Sequence, residues 1–220
     1  MILSALSSGT DELLYAIIAY SIIVLVCFPI HEFGHAWVAT RLGDYVAQQA
    51  GRVTLNPAAH IDPLGAIFLA VGSFGWARPV PFIPSNLRKA PSITTGIILV
   101  SIAGIVMNLL LATIAALPFR LHLIPLTDLL LGTPLTRILD YLISINVFLA
   151  IFNLIPIPPL DGSHILEALL PPSQRGVMDF LRQYGFFILI LLIIPMGDAS
   201  ILSRLINPIE TFVVRLLLGI

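Results

Sequence analysis

Residues 13–39 read LLYAIIAYSIIVLVCFPIHEFGHAWVA, an apolar run that carries His31-Glu32-Phe33-Gly34-His35 near its end. A helix needs about 20 apolar residues to cross the hydrocarbon core of a bilayer. The run is too long for a signal-peptide core, and Asp11 and Glu12 stand where a basic start would be. It reads as a retained span. On a helix, positions i and i+4 share a face, so His31 and His35 can offer two imidazole nitrogens to one metal ion. Glu32 lies beside them, placed as a general base for a water that the metal activates. In a chain with this His and Glu content, HExxH arises by chance roughly 0.002 times. The alternative is a polar cluster that packs helices together. Against it, three ionisable side chains inside hydrocarbon are expensive and normally functional.

Composition agrees with a membrane protein. The chain is 58% hydrophobic and 10% charged, with a mean hydropathy of +1.01; a soluble domain is about 25% charged. A net charge of −1 gives no ground for a nucleic-acid partner or a polybasic lipid anchor. The single cysteine, Cys27, excludes an internal disulfide. Its place four residues before His31 puts it on the same face, where small-residue packing is its expected role. Further spans are read at 93–117, 138–157 and 180–194. The tail 201–220 is interrupted by Asn207-Pro208 and Arg215, and reads as a tilted span or an interfacial helix. The expectation is one membrane-embedded domain over 1–220: an all-α polytopic membrane protein with about four to five membrane helices in a lipid bilayer.

Residues 51–81 have a different texture. Arg52-Val53-Thr54-Leu55 alternates polar and apolar, which predicts a strand. Asn56-Pro57 and Asp62-Pro63 punctuate turns. The apolar stretch 64–75 is too short to cross as a helix. The segment therefore reads as a re-entrant hairpin or loop carrying small β elements, its backbone buried in protein. His60 and Asp62 are expected to pair within it. Basic residues set the orientation: Arg41, Arg52, Arg78, Arg88 and Lys89 follow the first span, whereas residues 1–12 hold none. The positive-inside rule puts the N-terminus outside and 40–92 in the cytoplasm. The metal would lie inside the bilayer, nearer its cytoplasmic face.

Two histidines leave a catalytic zinc site one protein ligand short. The candidate third is Asp161, in Asn153-Leu154-Ile155-Pro156-Ile157-Pro158-Pro159-Leu160-Asp161-Gly162. The prolines break the third span there, giving a broken element over 138–170. A carboxylate at membrane depth needs a cation or a partner. The alternative is an Asp that caps the following helix at the cytoplasmic surface. His164, three residues on, is a candidate supporting partner. Asn108, Asn146 and Asn153 are uncharged and could donate to a tetrahedral oxyanion; interhelical hydrogen bonding is the alternative for each.

HEFGH in an apolar helix, followed late in the chain by NLIPIPPLDG, resembles the site-2 protease family of intramembrane zinc metalloproteases. Gly51–Pro63 (GRVTLNPAAHIDP) and Gly75–Pro81 (GWARPVP) resemble its compact prokaryotic branch, which lacks a PDZ domain. Ser101–Asn108 (SIAGIVMN) resembles that branch's AGPxxN stretch, with Ile105 in place of the usual Pro. The resemblance covers most of residues 20–172. It implies His31, His35 and Asp161 as ligands of one zinc per chain, Glu32 as the catalytic glutamate, and Asn153 near the substrate. It implies hydrolysis of peptide bonds in or beside transmembrane segments of membrane proteins, in a prokaryotic cell membrane. A helical substrate must unwind to be cut, and an edge in 51–81 is expected to pair with the extended segment. Two other classes compete. A non-catalytic scaffold binding transmembrane segments would need no Glu32, and a metal transporter would want ligands on both sides of a pathway. No motif specifies an oligomeric state.

Overall fold

The computed structural model describes residues 2–6, 9–72, 74–195 and 198–220; Ser73, within the 51–81 segment, lies outside them. Among the described residues, seven helices of nine residues or more organise the chain. They are α1 (Thr10–Arg41), α2 (Pro63–Gly72), α3 (Ile93–Arg120), α4 (Pro134–Asn153), α5 (Asp161–Leu169), α6 (Arg175–Ile193) and α7 (Ile201–Leu218). Among the described residues, four segments are long and apolar enough to cross a membrane: α1, α3, α4 and Pro172–Ile193, which includes α6. The protein is an all-α polytopic membrane protein.

Within α1, residues Ile23–Cys27 form a π-helical turn. Pro29 explains it. Its ring removes the N–H that would bond to the Leu25 carbonyl and crowds the turn before it, and a wider turn relieves both. Past Arg41 the chain turns at Gly43, whose φ of 106° favours glycine. Asp44 follows, fully buried. It accepts from Ile83 N–H at 2.6 Å and from Asn86 Nδ2 at 3.1 Å, tying the end of α1 to the chain that returns from the 51–81 segment.

α3 is central, packed between α1 and α4. Lipid is as apolar as the side chains, so helices associate through close packing and interhelical hydrogen bonds. The α1–α3 contact is built for closeness. A Cβ on Gly34 would lie 2.9 Å from the Ala103 carbonyl oxygen, and Ala36 and Ala39 are fully buried. α3 runs unbroken through Ile105, the position where the resembled family's stretch usually has proline. Ala115, Ala116 and Phe119 of α3 meet Ile143 of α4 and Leu218 of α7. At the other end of α7, Leu202 and Ile206 meet Phe152 and Leu160. α7 therefore runs antiparallel to α4 along most of its length, even though it holds Arg204, Glu210 and Arg215. Leu110 and Ile114 of α3, Phe187 of α6 and Phe212 of α7 face outward, as lipid-facing side chains would.

The strand expected at 52–55 does not form, and among the described residues no sheet exists. The nearest feature is one antiparallel bridge, Ile61 with Ala77, beside a hydrogen bond from Arg78 N–H to the His60 carbonyl at 2.8 Å. The alternation misled because burial here is inverted. Arg52 is 5% exposed and its guanidinium donates to the Arg78 carbonyl, while Leu55 is 55% exposed. The hairpin is instead a helical leg, α2, and an extended leg returning from Phe74 to Ile83. His60 and Asp62 do not pair with each other. The His60 ring bonds to the Thr54 carbonyl at 2.8 Å, and Asp62 accepts from Gly65 N–H at 2.9 Å. Burial holds His60 below its ordinary pKa.

Candidate metal centre

His31 and His35 occupy successive turns of α1, their rings edge to face with centroids 4.7 Å apart. Both Nε2 atoms point towards the broken end of α4. There the prolines end the helix at Asn153, and the chain turns through 154–160, with a cis peptide between Pro158 and Pro159. Gly162 makes the turn tight enough: a Cβ there would collide with the Leu154 carbonyl oxygen and lie 2.6 Å from that of Ile155. Asp161 opens α5 but does not cap it. Its carboxylate turns inward instead.

Asp161 Oδ2 lies 3.1 Å from His31 Nε2 and 3.3 Å from His35 Nε2, and the two Nε2 atoms are 3.1 Å apart. Among the described residues these three side chains form the one group placed to share a metal ion. His35 Nδ1 lies 2.7 Å from the Val100 carbonyl, which only accepts, so Nδ1 carries the proton and Nε2 of the neutral ring is a lone pair. His31 Nδ1 faces Asn108 Oδ1 at 2.7 Å, which leaves its Nε2 in the same state. Asp161 Oδ2 is buried without a hydrogen-bond partner. One proton could bridge one of these contacts but not all three. A single cation satisfies them together. Zinc bonds of about 2.0–2.1 Å at tetrahedral angles separate ligand atoms by about 3.3 Å, so the donor set and its spacing fit zinc.

Glu32 stands beside the triad, 7% exposed. Its Oε2 accepts from Val80 N–H at 3.1 Å. In Arg78-Pro79-Val80-Pro81 the prolines have no N–H, so Val80 supplies the single amide donor between Arg78 and Phe82. Between Arg78 and Phe82 the leg thus has one amide N–H to give, and it goes to the glutamate. Sequence reading missed this contact, although the Pro-Val-Pro pattern carried the signal.

These groups line a cavity of about 220 Å³ that also includes Asn153, His164 and Trp76. Asn153 keeps its Nδ2 on the Leu149 carbonyl at 3.0 Å. His164 packs edge to face against Phe82, ring centroids 6.0 Å apart, on the cavity wall. Asn108 lies elsewhere, fully buried behind His31, its Nδ2 spent on Asn146 Oδ1 at 3.1 Å. Asn108 and Asn146 are not among the residues lining the cavity; Asn108 contacts the His31 ring instead. Cys27 is also buried there, its Sγ 3.2 Å from Asn146 Nδ2 and away from the three ligand atoms. Gly104 was missed by sequence reading as well. A Cβ on it would collide with His35 Nε2 and lie 2.7 Å from His31 Cε1.

Comparison with known proteins shows the family. Residues 127–192, which contain Asn153 and Asp161, match the model of Peptidase family M50. Over 195 residues the chain is 42% identical to "Putative zinc metalloprotease YwhC" of Bacillus subtilis (strain 168), covering 86% of this chain and 88% of that protein. It is 30% identical over 175 residues to "Putative zinc metalloprotease Rip2" of Mycolicibacterium smegmatis (strain ATCC 700084 / mc(2)155), covering 77% of this chain. The Rip2 protein of Mycobacterium tuberculosis (strain ATCC 25618 / H37Rv) is also 30% identical, over 177 residues and 78% of this chain. The chain spans 64% and 65% of the two Rip2 lengths. No solved structure matches. A relative 42% identical along 88% of its length, together with the family match, settles the lineage: the chain belongs to peptidase family M50, the site-2 protease family.

Proposed function

We propose that this protein is an intramembrane zinc metalloendopeptidase that hydrolyses peptide bonds within or next to transmembrane segments. The observation that carries this reading is the convergence of His31 Nε2, His35 Nε2 and Asp161 Oδ2 to 3.1–3.3 Å, with Glu32 buried at their side, among membrane-length helices. His31, His35 and Asp161 would hold the metal. Zinc, when bound, supplies a Lewis acid for the scissile carbonyl and brings the pKa of a water towards ~7. Glu32, oriented by Val80 N–H, takes the proton of the attacking water and passes it to the leaving amine. Asn153 lines the cavity and is the side-chain amide available there to the developing oxyanion. The N-terminus lies outside and residues 40–92 in the cytoplasm, which puts the centre in the cytoplasmic half of the membrane.

A second cavity, about 380 Å³ and mostly apolar, adjoins the first and shares Phe28, Phe74, Gly75, Leu149 and Phe152 with it. It suits an apolar segment arriving from lipid. The extended leg beside Glu32 offers a backbone edge to a substrate that has unwound. Helix-breaking residues in a substrate span should then favour cutting. With purified protein and matched single-span substrates, a Pro or Gly near the cleavage point is expected to raise the rate. Equal cleavage of an uninterrupted poly-Leu span would count against the extended-substrate step.

The function as a whole is tested by comparing the membrane proteomes of cells carrying wild type and Glu32→Gln. Single-span proteins are expected to accumulate in the variant. Indistinguishable proteomes would argue for the scaffold reading.

Gly104→Ala tests how the centre is assembled. The added methyl meets the two imidazoles in a packed interface, where overpacking typically costs about 1–3 kcal/mol. Zinc affinity, followed by chelator competition, is expected to fall at least ~10-fold while α3 stays helical. Unchanged affinity would mean that α3 does not set the ligand positions.

A further inference from the structure

We propose that Asn146, which lies outside the cavity, is a positioning residue that sets the tautomer of His31 through Asn108. The inference rests on His31 being a metal ligand, as proposed above.

The Leu142 carbonyl can only accept, and an amide atom of Asn146 lies 2.7 Å from it. That atom is therefore Nδ2, a donor. Its second hydrogen faces Cys27 Sγ at 3.2 Å, a weak acceptor. The amide orientation of Asn146 is then settled, and Oδ1 points at Asn108, 3.1 Å away. Only an N–H fits opposite that oxygen, so Asn108 presents Nδ2 there. Asn108 Oδ1 consequently faces His31 Nδ1 at 2.7 Å, and Nδ1 must carry the ring proton. His31 Nε2 is left as a lone pair, directed at His35 Nε2 and Asp161 Oδ2.

The two histidines are held differently. His35 is set by a backbone carbonyl, that of Val100, which has one polarity. His31 is set by a side-chain amide, which has two. Turned over, Asn108 would donate to Nδ1 and drive the proton to Nε2, where it blocks metal binding. Asn146 removes that option. Asn108 and Asn146 are both 0% exposed, so bulk water does not compete for these bonds. The relay crosses three helices, from α4 to α3 to α1, and makes the ligand tautomer a property of helix packing. Outer-sphere partners of metal-bound histidines commonly act in this way.

The test uses the full chain in detergent micelles. In the metal-free wild type labelled with ¹⁵N-histidine, NMR is expected to show His31 protonated at Nδ1. Asn146→Leu should release Asn108, mix the His31 tautomers and weaken zinc binding by about 10-fold in chelator competition. Adding Asn108→Asp to that variant should restore most of the affinity, because a carboxylate offers acceptors only and cannot turn a donor towards Nδ1. If Asn146 only packs α4 against α3, the second substitution recovers nothing, since it restores none of that packing. An Nε2–H tautomer in the wild type overturns the proposal, as does unchanged affinity in Asn146→Leu or no recovery in the double variant. A wild type that binds no zinc would instead fail the metal reading. The tautomer spectrum of the metal-free protein separates the two failures.

Discussion

Glu32→Gln is expected to keep zinc and the fold while losing peptide hydrolysis by well over ~10²-fold. Glu32 neighbours His31 in sequence and points to a different face of α1, and it lies outside the group of three converging ligand atoms. Its removal as a base should leave metal content unchanged. A glutamine keeps the volume and still accepts from Val80 N–H through its amide oxygen, the contact now seen at 3.1 Å. What it lacks is a basic site. General-base catalysis alone is commonly worth about 10²–10⁴-fold, and loss of proton delivery to the amine adds to that. The variant should also trap substrate. Cleavage rate, zinc content and co-purifying transmembrane substrate are measured on one preparation. Near-normal turnover in the zinc-loaded variant would sink the mechanism. Loss of zinc would mean that Glu32 holds the metal or the helix.

The second large effect falls on Asp161. Asp161→Asn and Asp161→Ala are both expected to lower zinc affinity by more than ~100-fold, beyond what outer-sphere changes produce, and to abolish cleavage. Asn keeps the shape of the side chain and removes its charge. The carboxylate does not cap α5, so helix formation there has little to lose. The measurement is zinc content by elemental analysis after exhaustive dialysis, with circular dichroism to follow helicity. Full zinc retention in Asp161→Asn would take Asp161 out of the ligand set and leave a two-histidine site.

The sequence by itself determined the class of the protein and the nature of its chemistry. Apolar runs of membrane length locate α1, α3, α4 and α6 because only a helix satisfies its own backbone in lipid. HEFGH offers two candidate ligands and a candidate base because helical spacing is local: His31 and His35 share a face whatever surrounds them. The proline run after Asn153 marks the place where α4 must end, and so identifies Asp161 as a carboxylate on broken backbone.

Everything that depends on contacts between distant segments was decided by the tertiary structure. Alternation at Arg52–Leu55 suggested a strand, but a strand needs a partner edge. Here Arg52 turns inward to satisfy the Arg78 carbonyl, and Leu55 turns out. Asn108 and Asn153 carry the same functional group and looked alike as oxyanion donors. Packing buries Asn108 behind His31 and leaves Asn153 in the cavity. His60 and Asp62 sit two apart, yet each bonds to a different backbone group. Val80, Val100 and Gly104 are apolar or featureless in sequence, and they act through an N–H, a carbonyl and the absence of a Cβ. Side-chain chemistry is written in the one-dimensional chain. Backbone polarity, close approach and the direction of an amide exist only once helices α1, α3 and α4 have been brought together.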